Sequence, residues 1–459
     1  MLTGERYRES LRDGRVVILD GRRVDDVTKA PELAGAIDWV ADTYDRYVST
    51  PSGAHPMYDI PASVGDLRRR IEVLLDCDMT ASLSAAVLAL ASSRSPLSAA
   101  DTRYGERIDV FIEECRRNDW RVAEAITDAK GDRMLPPSKQ HDPDAYLRVV
   151  ERRPEGIVVR GCKMHITAAP LVHEIVVLPT KQMKRGEEDY AVAFAVPANT
   201  PGLTTVAVTT APRQRDERDF PVSRHHAVPD GTLLFDDVFV PNERVFLAGE
   251  VEHSSTLAHA LGTWERTSSI AGSAREADLL VGLAQLVAES NGIERVPHIR
   301  DKIAELIIYA TMVRAGVEAA LNAAYGEGDD LRPDELFTNV TKCFASMHYH
   351  SMLRNLQDIA GGLVLTAPSH ADLDDEEIGD QLRRYLQASP SMSGTDRLRI
   401  FHAVRDLTAD ALGGWHMVAK IMSGGGMYAQ KMVARNHFDM AAARRSAAQA
   451  IGLDLPTRP

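Results

Sequence analysis

Between Ile157 and Gly249 the apolar pattern of this chain changes period, and that change restricts the fold more than any other feature. Six short β-branched or aromatic runs occur there: IVVRG, HEIVVLPT, YAVAFAVP, LTTVAV, TLLFDDVFVP and RVFLAG. Pro, Gly, Asn and Asp separate them, as at strand ends. Both flanks carry the helical period instead. Ahead lie DLRRRIEVLL at 66–75, an Ala/Leu/Val run at 80–91 and RIDVFIEECRRN at 107–118. Behind lies 268–290, then 299–325 with Ile299, Ile303, Leu306, Ala310, Val313 and Val317 on one face. A further helix opens at Pro333-Asp334-Glu335 and stops at Gly361-Gly362, followed by 397–422 and 437–451. The order predicts an α+β fold: a helical N-terminal domain (1–135), a central antiparallel β-domain built as a barrel or sandwich (136–262), and a C-terminal helical bundle (263–459).

Helices and strands grouped in blocks do not make a doubly wound sheet, which needs strand and helix to alternate. Neither G-x-G-x-x-G nor the Walker phosphate loop occurs, and the three glycines at 424–426 have no strand before them, so they read as a helix break. The 459 residues are too many for one core. A formal net charge of -13 argues against nucleic acid and anionic membrane surfaces as partners. No run of about 18 apolar residues occurs, and MLTGERYRESLRDGR has no apolar stretch of a secretory leader. Cys77, Cys115, Cys162 and Cys343 are isolated, without a C-x-x-C pair. That usage fits a reducing cytoplasm.

The polar residues concentrate where helix gives way to sheet, in TDAKGDR at 127–133 and KMHITAAP at 163–170. Thr127, Lys130, Gly131 and Arg133 read either as a polar turn capped by Asp128 or as a loop holding a flat polar cofactor, the cations suiting phosphate. His165 reads as a structural strand histidine or a ligand contact, with Thr167 beside it. His348 and His350, two apart, do not share a helix face, so no metal site is expected there. Asp358, Gly361 and Gly362 read as a helix terminus.

TDAKGDR, GIVVRGCKMHITAAPLVHEIVVLP and QDIAGGLVLTAPS, in this three-part order, resemble the 4-hydroxyphenylacetate 3-hydroxylase / 4-hydroxybutyryl-CoA dehydratase family of flavoproteins. The resemblance covers nearly the whole chain. It implies an acyl-CoA dehydrogenase-like fold, FAD or reduced FAD as cofactor, and a homotetramer arranged as a dimer of dimers. It places Thr127, Lys130, Gly131, Arg133, His165 and Thr167 along the flavin, and Asp358, Gly361 and Gly362 near its adenine half across a subunit interface. One branch of the family hydroxylates phenols with flavin supplied by a separate reductase. The other dehydrates CoA thioesters and holds an iron–sulfur cluster. DAKGDR, DPDAYLRVVE and PHIRDKIAEL are worded like the dehydratases.

The decisive positions follow neither branch. Where the dehydratases supply cluster ligands, this chain has Thr80, Ser84, Glu265 and Gly272; hydroxyls and glycine do not replace thiolates, so no iron–sulfur cluster is expected. Where the hydroxylases bind the phenol, it has Thr80, Ser84 and Glu124. An ionised Glu124 would oppose a phenolate, while a neutral one would donate a hydrogen bond. Glu124 and Glu265 are solvated surface acids or, if buried beside the flavin, acid/base groups. The expected function is a reduced-flavin monooxygenase acting on a small aromatic substrate, with Glu124, Glu265 and His165 catalytic and Thr80 and Ser84 at the substrate. The alternative is a flavin-dependent acyl or CoA-thioester desaturase or cluster-free dehydratase. A third reading, a scaffold that keeps only the fold, conflicts with the retained TDAKGDR and KMHITAAP.

Overall fold

Capping chemistry sets the first helices of the computed structural model, which describes residues 1–49, 54–212, 216–390 and 392–454. Thr3 caps α1 (Gly4–Ser10) and Pro31 opens α2 (Pro31–Tyr47). Ser63 caps α3 (Val64–Asp76), and Asp101 caps α5 (Thr102–Asn118) directly after α4 (Ala85–Ala100). The run expected to be helical from Thr80 is split. Asp78 accepts hydrogen bonds from both the Thr80 amide and hydroxyl, which tightens 79–84 into a 3₁₀ turn ahead of α4. Thr80 and Ser84 therefore lie on that turn rather than on a helix.

Among the described residues, ten strands form two sheets. The first, in the order β2-β1-β8-β9-β5-β4, contains β1 (Val16–Leu19), β2 (Arg22–Val24), β4 (Arg148–Arg153), β5 (Gly156–Thr167), β8 (Leu203–Val208) and β9 (Asp230–Pro241). The second, β10-β7-β6-β3, contains β3 (Val122–Ala125), β6 (Glu174–Val177), β7 (Val192–Pro197) and β10 (Val245–Ala248). The strands within the expected β-domain, β4 to β10, pair antiparallel with one another, and the N-terminal stretch adds β1 parallel to β8 and β3 parallel to β6. Three of these strands also come from the stretch read as helical. The β1–β2 hairpin turns on Asp20-Gly21 with φ of 52° and 74°. Both lie in the left-handed region that a two-residue hairpin turn requires.

Phe194 and Phe235 meet edge-on between the sheets, with ring centroids 6.0 Å apart. One core packs α1 and α2 against both sheets; a second packs α4, α5 and the next long helix against the β3–β6–β7–β10 sheet. The short α6 (Ser223–His226) lies in the β8–β9 connection.

The C-terminal bundle begins earlier than 263, with α7 (Ser254–Ser290). Ser254 donates to the Val251 carbonyl and accepts from the Met183 amide, which ties the helix start to the sheets. α8 (Pro297–Asn322) and α9 (Glu335–Ala360) complete its centre. Asp334 is the cap of α9, so Pro333 stands outside the helix, and Gly361 ends it at φ 71°. Seven shorter helices follow: α10 (Leu363–Thr366), α11 (His370–Leu373), α12 (Gly379–Leu386), α13 (Gly394–Thr408), α14 (Ala411–Met422), α15 (Met427–His437) and α16 (Met440–Ala450). Tyr385, Tyr428 and Ile451, in and beside these last helices, are 72%, 79% and 75% exposed, an apolar surface without cover in a single chain. No helix among the described residues is long and apolar enough to cross a membrane.

Candidate functional site

Glu124 is the one member of β3 that is not fully buried. Glu265 occupies the corresponding condition on α7, between buried Trp264 and Arg266. Trp264 Nε1 donates to Ser92 Oγ at 2.9 Å, and Arg266 donates to Gly424 O at 2.7 Å and to Asn339 Oδ1 at 3.0 Å. These flanking contacts set the rotation of α7 and hold Glu265 inward. Both glutamates keep some accessible surface while lying deep in the protein, the condition of groups that line an internal cavity.

The two carboxyls act on each other. Burial pushes Glu124 well above the usual carboxylate range, and the charge of Glu265 pushes it further, against weaker pulls from the Ala86 amide and Arg70. Burial raises Glu265 as well, opposed by Lys342 and Arg266. Glu124 Oε1 is buried with no hydrogen-bond partner. Two carboxyls in unequal settings divide the work: Glu124 holds the proton, and Glu265, beside two cations, gives it up first. Arg70 donates to Met57 O at 2.6 Å and Ser84 Oγ at 2.8 Å; burial brings its pKa down to about 10. Lys342 donates to Ser269 Oγ, Ser423 Oγ and Lys420 O within 3.1 Å, and burial with nearby Lys420 lowers it to about 8. A cavity of about 530 Å³ between α3 and α5, lined by Tyr58 and Arg116 among others, reaches Arg70.

Of the positions expected at the substrate, Ser84 lies in this site through Arg70. Thr80 does not offer its hydroxyl, which is committed to Asp78. His165 is exposed at φ 63°, in a bulge where β5 slips register against β9. Thr167 Oγ1 donates to Asp230 Oδ1 at 2.8 Å, and the other oxygen of Asp230 accepts from Trp415 Nε1 at 2.5 Å, joining the sheet to α14. Asp358 is exposed, with one carboxylate oxygen paired with Lys302. Gly361 and Gly362 are exposed at the end of α9.

The 127–133 turn fits an anionic cofactor. The Thr127 carbonyl accepts from the Met164 amide at 2.7 Å, fastening the turn to β5. Buried Lys163 pairs with Asp128 at 2.9 Å and donates to the Ile126 and Leu178 carbonyls, both at 2.9 Å. Lys130, Arg133 and Lys181 are left as a cationic rim, with no carboxylate paired to them among the described residues. Burial lowers the Lys130 pKa, and Arg133 lowers it further. A diphosphate relieves such crowding. Gly131 has φ 50°, and a Cβ there would lie 2.3 Å from Gln140 Oε1, which accepts from the Asp132 amide. Gly131→Ala is expected to displace this turn and weaken flavin retention about tenfold, measured by equilibrium dialysis; unchanged retention removes the turn from the cofactor site.

Three contributors escaped the sequence reading. Arg70 and Lys342 occupy buried positions of α3 and α9, and a cation on an apolar face was their visible signal. Gly424, at φ 69°, ends a helix as expected, but it also accepts from Arg266, and a Cβ there would come within 2.8 Å of Arg266 Cγ. Among the described residues, neither cluster able to gather three metal-ligating side chains contains a cysteine.

The chain is similar over almost its full length to proteins of both chemistries. It is 29% identical to 4-hydroxybutyryl-CoA dehydratase/vinylacetyl-CoA-Delta-isomerase of Clostridium aminobutyricum, covering 95% of this chain and 96% of that one. It is 30% identical to the oxygenase component of 4-hydroxyphenylacetate 3-monooxygenase of Thermus thermophilus, covering 90% and 89%. A crystal structure of such an oxygenase component complexed with FAD and 4-hydroxyphenylacetate superposes with a TM-score of 0.90 at 27% identity, covering 98% of each chain. Family models described as 4-hydroxyphenylacetate 3-hydroxylase N terminal and C terminal match residues 3–247 and 254–452. With these matches and its helix–sheet–helix order, the chain belongs to the 4-hydroxyphenylacetate 3-hydroxylase family.

Proposed function

We propose that this chain is an FAD-dependent oxidoreductase, the oxygenase component of a two-component monooxygenase that hydroxylates a small aromatic substrate bearing a hydroxyl group. The observation that carries the reading is the buried, unpartnered Oε1 of Glu124, whose carboxyl burial, and after it the charge of Glu265, holds well above the usual carboxylate range. A neutral Glu124 does not oppose a phenolate; it donates a hydrogen bond to the substrate oxygen. Glu265 accepts the proton that the hydroxyl loses, with Lys342 and Arg266 holding the resulting charges in balance. Thr127, Lys130, Gly131, Arg133 and Thr167 would hold the flavin, with His165 at its edge and Gly361 and Gly362 of a second copy near the adenine. Reduced FAD, delivered by a separate reductase, supplies two electrons; one atom of O₂ enters the substrate and the other leaves as water. The uncovered apolar residues of the last helices support assembly, as a dimer of dimers.

The test supplies NADH, a flavin reductase and FAD, and follows oxygen uptake with a panel of phenols. Phenol-dependent uptake with a product one oxygen heavier supports the proposal. The near-complete match to the dehydratase favours a second reading, an acyl-thioester enzyme in which Glu265 takes an α-proton. Tight yellow flavin with no phenol-dependent oxygen use would select it.

A further inference from the structure

Away from the glutamate pair, Asp219, His370 and His402 converge in a fully buried cluster. Asp219 lies in the β8–β9 connection, His370 opens α11 and His402 lies on α13. Their exposures are 5%, 3% and 0%. One ligating atom from each lies within 4.8 Å of the other two. Asp219 Oδ1 is 2.8 Å from His370 Nδ1 and 3.2 Å from His402 Nδ1.

The hydrogen-bond pattern around His402 is the telling feature. Its Nε2 lies 2.9 Å from the Pro368 carbonyl, which can only accept, so Nε2 carries the proton. The neutral ring then turns the bare lone pair of Nδ1 toward the Asp219 carboxylate. His402 Nδ1 and His370 Nε2 are both buried without a hydrogen-bond partner. Lone pairs facing one another in a dry interior repel, and a cation placed between them removes the conflict. Donation of the distal N–H to a backbone carbonyl is also how a metal-bound imidazole has its tautomer fixed.

We propose that Asp219, His370 and His402 bind a divalent zinc ion, with a water in the fourth position. Two imidazoles and one carboxylate suit zinc, whose 2.0–2.2 Å bonds put neighbouring ligand atoms roughly 3.2–3.5 Å apart. The carboxylates around the cluster are committed to partners of their own, and the Arg405 charge reaches His402, so the ion would rest on Asp219 and the two imidazoles. Asp216 and Asp374 share Arg218, Asp410 pairs with Arg405, and Asp406 accepts the Val222 and Ser223 amides. The ion would fasten the β8–β9 connection to the C-terminal bundle, a short way along the chain from Asp230, which links Thr167 to Trp415.

The test is elemental analysis of the flavin-loaded protein, purified with zinc and dialysed against a weak chelator. The expected result is about one zinc per chain, X-ray absorption showing nitrogen and oxygen neighbours only, and about tenfold or greater loss of zinc in Asp219→Asn and His402→Gln. Added Zn²⁺, but not Mg²⁺, should raise the melting temperature of the chelated wild type, a readout that holds even if a variant fails to fold. A folded, flavin-loaded wild type that neither retains zinc nor responds to it overturns the proposal. So does zinc retained at full occupancy in Asp219→Asn, which would place the metal at the separate His259–Glu335–His437 cluster, and so do sulfur neighbours.

Discussion

Glu124→Gln is expected to lower turnover about 10²–10⁴-fold while leaving flavin retention within twofold of wild type. Glutamine keeps the shape of the side chain but fixes its amide as a permanent donor that cannot exchange a proton. Glu265→Gln should cost as much, because the two carboxyls act as one acid/base pair, and the double variant should be little worse than either single one. Steady-state kinetics with reductase-supplied flavin measures all three; additive losses would mean that the glutamates act independently. Stability should move the other way. Below about pH 4.3 the unfolded Glu124 and the folded Glu124 are both protonated, so the group has no effect. As pH rises above that value, the unfolded chain releases the proton that the raised folded-state group still holds, and stability falls until the folded group also ionises. Glu124→Gln has no proton to release. Its stability relative to wild type should therefore increase from about pH 4.3 upward, as read by urea denaturation across pH.

Arg121→Met should destabilise the fold by about 3–5 kcal/mol. Arg121 is fully buried, 2.8 Å from the equally buried Asp78, and lies over the Tyr44 ring at 4.6 Å. Removing the guanidinium leaves the Asp78 carboxylate charged in the interior, where desolvation is no longer compensated. Asp78 also caps the turn that carries Thr80 and Ser84, so activity should fall with stability. Arg121→Met combined with Asp78→Asn should recover part of the loss, because no charge is then stranded. A single variant that loses less than about 1 kcal/mol in urea would mean that water reaches Asp78 and the pair is not load-sharing.

The three-block architecture was legible because it rests on periodicity sustained over long stretches. The C-terminal helices follow their apolar faces, and Gly361 stops α9 where a left-handed residue is needed. The N-terminal strands were not legible by that route, since four apolar residues at 16–19 carry no period. The Asp20-Gly21 pair was the available signal. Strand direction was hidden as well, because β1 and β3 reach β8 and β6 across long intervals of chain.

Within the site, Glu124 and Glu265 were marked by the family resemblance and given meaning by burial. Their coupling depends on two elements 141 positions apart in sequence and on the Trp264 and Arg266 contacts that orient α7. Lys342 and Arg70 were visible only as cations on apolar faces. The Thr80 hydroxyl is engaged by Asp78, two residues before it, a local capping contact that the helical pattern did not show. His165 and Asp358 are at the surface of a single chain, the first in a bulge and the second paired with Lys302.

The central claim is that Glu124 holds the proton of the Glu124–Glu265 pair. Infrared difference spectroscopy of the resting protein reads this directly. A protonated-carboxyl C=O band, shifted in D₂O, should appear at pH 7 in the wild-type minus Glu124→Gln difference and in the Glu265→Gln minus double-variant difference, where Glu174, which burial raises to about 7, cancels. A wild-type minus Glu124→Gln difference with no such band at pH 7 would contradict the account.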